Sequence, residues 1–167
     1  MDAKLPSSAL SRVLLALHEE SLLGELRDLL RQQGYAVAAS GAAKKAREML
    51  DQQQFAAVVA DSNLPDLAGL DLLIAAKQVQ PEAPRILIGS AMTLTNATDA
   101  INKAEIFRLL LKPLQQDQFL SFVADALARY QALHKQRLLF STTQAMNETL
   151  TKLVQSMQKP AKEQPGS

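Results

Sequence analysis

The sequence has no cysteine among its 167 residues, and neither sign of charge is in excess. The lack of cysteine excludes disulfides, thiolate metal sites and cysteine nucleophiles, and it fits a cytoplasmic location. Eighteen basic side chains against seventeen acidic ones leave a net charge of +1. A chain with this charge balance has no excess of basic residues with which to bind nucleic acid or an anionic membrane. We therefore expect neither of these partners.

Long apolar runs are also missing. The stretch from Val13 to Leu17 is too short for a secretory core and is followed by His18, Glu19 and Glu20. We expect a soluble protein without a targeting segment. Hydrophobic residues nevertheless make up 47% of the chain, which is enough for a sizeable core. The length suits one domain of roughly 100–150 residues with an appendage.

Short apolar runs alternate with helical patterns through most of the chain. Strands are predicted at 12–17, 35–39, 55–60, 85–88 and 107–111. Helices are predicted from Leu22 to Gly34 and at 43–53, 69–79 and 95–102. This alternation predicts an α/β fold, a doubly wound five-stranded parallel sheet with two helices on one face and three on the other. Helix 95–102 is the least well marked, because its residues have modest helix propensity.

Functional groups of such sheets collect at the carboxyl ends of the strands. His18, Asp61, Gly89 and Lys112 each follow or end a predicted strand. Four separate segments should therefore converge on one crevice.

The C-terminal part lacks a helix breaker from Gln116 to Pro160. A helix of this extent would be roughly 60 Å long at ~1.5 Å per residue, so only its first part can pack on the sheet. Its second part carries a seam with alternating spacings of four and three, typical of a coiled coil: Leu139, Thr143, Met146, Leu150, Leu153 and Met157. We expect a polar N-terminal segment (1–11), an α/β domain (12–130), a projecting helix (131–158) and a flexible tail (159–167).

Two motifs carry a resemblance to a known family. Residues 58–73, VVADSNLPDLAGLDLL, combine an apolar strand, Asp61, a loop with Leu64-Pro65, and Gly69 at the start of a helix. After the fifth strand comes Lys112-Pro113. The chain from about 11 to 130 thereby resembles the CheY-like receiver domains of response regulators in two-component signalling. The resemblance implies the CheY-like (flavodoxin-like) fold, often with a cis bond before that proline.

The resemblance also implies a chemistry, in which Asp61 accepts a phosphoryl group from a phosphohistidine and Lys112 contacts the phosphoryl oxygens. The family holds Mg²⁺ with an acidic pair after the first strand, the acceptor and a backbone carbonyl, here that of Asn63. The acidic pair falls on Leu17 and His18. Leucine offers no ligand, and imidazole suits a hard cation poorly. His18 is either a ligand for a softer metal or structural, and Lys112 pairs with Asp61 in a metal-free pocket.

Other parts of the family's site are altered as well. The hydroxyl expected after the fourth strand falls on Gly89, and Ser90, one residue later, would point the other way in an ideal strand. The switch aromatic falls on Leu109. Glu19 and Glu20 are either acids favourably placed at the start of the first helix or substitutes leaning into the pocket.

The leading hypothesis is a degenerate receiver, a non-enzymatic signalling module without a cofactor. Its surface, including the first, fourth and fifth helices, would be recognised by a sensor kinase, output or scaffold protein. It would dimerise through the seam that contains Leu139, Met146, Leu150, Leu153 and Met157. The alternative is a working, Mg²⁺-dependent phosphoacceptor that relays to a C-terminal output domain or a partner. A DNA-binding regulator is disfavoured, because no helix-turn-helix pattern follows and the charge is balanced.

Overall fold

The computed structural model describes residues 10–158, which form five strands and six helices. The strands are β1 (Arg12–Ala16), β2 (Ala36–Ser40), β3 (Ala57–Asp61), β4 (Arg85–Gly89) and β5 (Arg108–Leu111). The helices are α1 (Glu20–Gln32), α2 (Ala43–Gln52), α3 (Gly69–Val79), α4 (Ala91–Thr95), α5 (Thr98–Ala104) and α6 (Gln116–Gln158). The predicted tail 159–167 and most of the predicted segment 1–11 lie outside the described residues. Within residues 10–158, no helix is long and apolar enough to cross a bilayer.

The five strands are all parallel and lie in the order β2-β1-β3-β4-β5. Helix α1 and the first part of α6 cover one face, and α2, α3, α4 and α5 cover the other. Neighbours along β1 alternate between these two layers, since Leu15 packs in the first and Leu14 in the second. Continuous apolar runs are what a sheet buried on both faces requires. The predicted doubly wound sheet is confirmed, but the second face has four helices where three were predicted.

The predicted helix 95–102 is wrong in its bounds, because the structure has two shorter helices, α4 and α5, in this region. Threonine hydroxyls on both sides of the break bind backbone carbonyls. The Thr95 hydroxyl donates to the carbonyl of Ala91, and the Thr98 hydroxyl donates to that of Thr95. Such local side-chain bonds compete with the backbone ladder of a helix. This polar, hydroxyl-rich segment forms two short helices, α4 and α5, in place of the one helix that was predicted.

Arg85, at the start of β4, binds backbone carbonyls of the loop after α3 and of the C-terminal end of α5. Its guanidinium is buried and donates to the carbonyls of Pro81, Ala83, Ala104 and Glu105. Burial lowers the pKa of this guanidinium below its ordinary value. One side chain therefore satisfies carbonyls after α3 and at the end of α5, and it positions the strand that leads to Gly89.

Helix α6 crosses the boundary between the two compact units of the chain, which lies between Gln131 and Ala132. Within the first unit five of its side chains are buried in the core: Phe119, Val123, Ala126, Leu127 and Tyr130. In the second unit the described residues after His134 are exposed, apart from a half-buried Leu138. The helix therefore has a core-forming part and a part whose apolar side chains face solvent.

Candidate functional site

Asp61 and Lys112 meet at the carboxyl edge of the sheet. The Lys112 Nζ lies 2.6 Å from Asp61 Oδ2, and Asp61 Oδ1 accepts a hydrogen bond from the N–H of Asn63 at 2.9 Å. The Asp61 side chain is 3% exposed, whereas that of Lys112 is 36% exposed. Both carboxylate oxygens therefore have a partner, and the cation reaches a buried anion from the solvent side.

Backbone hydrogen bonds to β4 hold the two segments that carry this pair. Ser62 N–H, just after Asp61, donates to the carbonyl of Ile88 at 2.7 Å, and Lys112 N–H donates to that of Gly89 at 3.0 Å. The Lys112–Pro113 peptide bond is cis. The crevice predicted from the alternation of strands and helices is thus built on the end of β4.

Gly69 allows α3 to begin directly against the backbone of Asp61. A Cβ at this position would overlap the carbonyl oxygen of Asp61, and it would lie 2.7 Å from its carbonyl carbon and 3.1 Å from Ser62 Cα. The Gly69 N–H donates to the carbonyl of Ser62 at 3.1 Å. The glycine in the motif is therefore required by a close approach of two backbones.

Asp66 ties the loop after Asp61 to a second helix. Its Oδ1 accepts from the N–H of Ala43 and its Oδ2 from that of Lys44, both at 2.9 Å. These bonds, first that from Lys44, hold the pKa of the Asp66 carboxyl below its ordinary value. The residue before α2 is Ala42, which has no capping side chain. A remote carboxylate therefore caps this helix, and no local sequence signal marks it.

The residues around Asp61 do not fit a magnesium ion. Leu17 is buried in the apolar core, and His18 is exposed. Glu19 is the N-cap residue of α1 and Glu20 lies in its first turn, both exposed. Within residues 10–158, no three or more Asp, Glu, His or Cys side chains are grouped so that they could hold a metal. Mg²⁺ needs several oxygen ligands in octahedral geometry, and a single ion-paired carboxylate does not supply them.

The space where the missing hydroxyl would lie is filled from the loop after β3 and from α4. A Cβ on Gly89 would lie 2.8 Å from the Oγ of Ser62 and 3.0 Å from Cδ2 of Leu94. Ser90 uses its hydroxyl as the N-cap of α4. Leu109 is 40% exposed on β5. The structure thus brings Asp61, Lys112 and Gly89 together, while neither Ser90 nor Leu109 supplies the group that the resemblance called for.

The family profile of the response regulator receiver domain matches residues 13–124. The chain belongs to this receiver family. Its match covers β1 through the first part of α6, which is the part of the chain that builds the Asp61 crevice. Receiver domains are signalling modules, and the Asp61 motif and Lys112 lie within the matched range.

Relatives and solved structures agree with the receiver assignment. The response regulator protein PilR of Pseudomonas aeruginosa is 37% identical over 84 residues, which is 50% of this chain and 19% of that protein. A signal receiver domain of an HD domain-containing protein from Pseudomonas fluorescens superposes with a TM-score of 0.68 at 29% identity, over 72% of this chain and 97% of that one. A CheY-like receiver from Methanospirillum hungatei has a TM-score of 0.68 at 21% identity, over 73% and 97% of the two chains, which shows the fold alone. The CheY-like fold is confirmed.

The chain spans only about a fifth to a quarter of the length of the curated relatives that it matches. The similarity therefore concerns their receiver portion.

Outside the receiver, the second unit has a row of exposed apolar side chains. The exposed fraction is 51–78% for each of them: Leu139, Phe140, Met146, Leu150, Leu153, Val154 and Met157. The five residues predicted for dimerisation are all in this row. Phe140 and Val154 were not predicted, because each follows a seam residue directly and so falls outside the alternating spacing of four and three.

Proposed function

We propose that this protein is a degenerate receiver, a cytoplasmic and non-enzymatic signalling module that acts through protein–protein interaction, with phosphorylation of Asp61 weak or absent. The observation that supports this most is the Asp61–Lys112 ion pair at 2.6 Å, next to a buried Leu17 where the family has an acidic ligand. Lys112 neutralises the charge of Asp61 in a pocket that lacks the oxygen ligands that a divalent cation needs.

The chemical argument concerns charge. A carboxylate that accepts a phosphoryl group gathers negative charge, which must be neutralised during transfer. Here Lys112 is the cation in contact with Asp61, and one ammonium cannot replace an ion that bridges donor, acceptor and protein. We expect the barrier to rise by several kcal/mol, which slows transfer by several orders of magnitude at about 1.4 kcal/mol per tenfold.

The conformational argument concerns the parts that would report phosphorylation. Gly89 has no hydroxyl to move toward Asp61, and the space beside it contains Ser62 and Leu94. Leu109 replaces the aromatic that would change between buried and exposed positions. A modified Asp61 would then have little differential contact with two conformations, and without such a difference no population shift follows.

The test is incubation of the protein with Mg²⁺ and either beryllofluoride or acetyl phosphate. We expect no change in intact mass and no chemical-shift changes at residues 61, 89 and 112. Rapid, stoichiometric modification would contradict the proposal and support the alternative, a working phosphoacceptor, which the retained Asp61–Lys112 pair and the names of the relatives favour.

A gain-of-function series sharpens this test. Leu17→Asp with His18→Asp should recover Mg²⁺ binding first. Restoring the switch with Gly89→Thr should also need Ser62→Ala, because the new side chain would meet the Ser62 hydroxyl. Recovery of switching by Gly89→Thr without the Ser62 change would show that the packing argument is wrong.

We also propose that a second copy of the chain covers the exposed apolar row of the second unit, while a sensor kinase, output or scaffold protein is recognised by the receiver surface. The seven side chains expose on the order of 700 Å² together, close to the ~800 Å² that each partner contributes to a standard interface. Leu150→Asp with Leu153→Asp should give monomers with an intact receiver. A parent protein that sediments as a monomer at high micromolar concentration would exclude this dimer.

A further inference from the structure

The exposed apolar surface of the second unit is wider than the seam of a two-stranded coiled coil. When the seam residues occupy heptad positions a and d, Phe140 and Val154 both fall on position e, beside the d residues Leu139 and Leu153. Phe140 is 64% exposed and Val154 is 51% exposed. A two-helix seam covers mainly a and d, so it would leave much of these two side chains in water.

The flanks of this surface have no charges that would direct pairing. Position g contains Thr142, Thr149 and Ser156, and position e contains an amide, Asn147, between its two apolar residues. Two-stranded coiled coils commonly set partner and orientation with charged side chains at e and g. An apolar face of a, d and e with uncharged flanks is instead the pattern of a helix that faces the core of a bundle.

The charges of this segment lie on its other side. Between Leu139 and Gln158 the charged residues are Glu148 at position f and Lys152 at position c. Positions a, d and e of this stretch contain no charged side chain, so identical helices that approach through them bring no like charges together. This uncharged face, with an exposed apolar area close to what one partner contributes to a standard interface, accommodates other copies of the same chain, which are the occupant of this inference.

From this pattern we infer that the second unit assembles with three other copies into a four-helix bundle, in which positions a and d form the first pairing and position e joins two pairs. The inference rests on the homodimer proposed above and extends it to a dimer of dimers. Four-helix bundles of this kind pack their helices around a and d positions with neighbours on two sides. Phe140 and Val154 would then be buried between pairs.

The experiment measures the molar mass of the full chain by sedimentation and by light scattering at tens of micromolar. We expect four times the chain mass of 18.2 kDa for the parent protein. Phe140→Gln with Val154→Gln should halve that mass, and helix content by circular dichroism should be retained. The matched control is Ser141→Gln with Ala145→Gln, two changes at exposed positions f and c that keep every charge, which should leave four copies.

The outcomes separate this inference from the homodimer. A parent protein at twice the chain mass, or a Phe140/Val154 variant that keeps four copies, overturns the bundle and leaves the pairing through a and d standing. A parent protein at a single chain mass overturns both. Binding of a different helical protein by a monomeric parent would assign the surface to that partner and would also overturn the bundle.

Discussion

Replacing Gly69 with alanine should destabilise the receiver strongly, because the new Cβ meets backbone atoms. It would overlap the Asp61 carbonyl oxygen and lie 2.7 Å from the carbonyl carbon of that residue, whereas carbon atoms in contact are normally ~3.5–4.0 Å apart. The start of α3 must then retreat by about 1 Å. That movement weakens the hydrogen bond from the Gly69 N–H to Ser62, now 3.1 Å long.

The expected loss combines overpacking, about 1–3 kcal/mol, with a hydrogen bond worth about 1 kcal/mol. A total of about 2–4 kcal/mol is a large share of the ~5–15 kcal/mol that stabilises an ordinary domain. Asp61 is also paired with Ile88 in the sheet, so β3 cannot easily move to relieve the overlap. The strain should therefore fall on α3 and on the loop between Asp61 and Gly69.

Gly24 provides a matched control for the same chemical change. It lies inside α1, and a Cβ there would have Arg27 Nη2 as its nearest neighbour at 3.8 Å, an ordinary contact. Gly24→Ala should raise the free energy of unfolding by about 0.5–1 kcal/mol through helix propensity. Urea unfolding measures the free energy of unfolding of both variants, which should fall for Gly69→Ala and rise for Gly24→Ala. A Gly69→Ala protein as stable as the parent would refute the close approach.

Three further substitutions test the polar contacts. Lys112→Met should lower the free energy of unfolding in urea by about 1–3 kcal/mol, less than the loss of a fully buried pair because the lysine is partly exposed. Adding Asp61→Asn should recover part of that loss. Equal stability of the parent protein and Lys112→Met would show that the pair contributes nothing. Asp66→Ala should lower the melting temperature at neutral pH, because the folded pKa of Asp66 is depressed below 3.8. Its stabilisation is present above the unfolded pKa and lost as the pH falls through the folded value, so the two melting curves should converge in strong acid, and a constant difference would contradict the cap. Arg85→Met should cost about 3 kcal/mol, since buried carbonyls lose a shared donor, and a loss under about 0.5 kcal/mol would argue against that role.

Much of the fold could be predicted from the sequence, because its physical cause is local. Runs such as Val13 to Leu17 are short and apolar at consecutive positions, as is typical of strands buried on both faces of a sheet. Their alternation with helical patterns leaves right-handed parallel crossovers as the solution. Asp61 ends β3 and Lys112 follows β5, so their meeting at one edge was predictable before any distance was known.

The tertiary structure decided the features that join residues far apart in the chain. Asp66 caps a helix that begins at Ala43, and the Ser62 hydroxyl fills the space beside Gly89. Neither contact leaves a periodic or spacing signal, because the partners lie on different elements, and the contact between Ser62 and Gly89 also depends on the register between β3 and β4. The order of strands and helices was enough to predict that Asp61, Gly89 and Lys112 lie at one edge of the sheet, whereas His18, expected there as well, is exposed. Only the packing of the strands and loops determined that a lysine, a serine and a leucine fill the crevice.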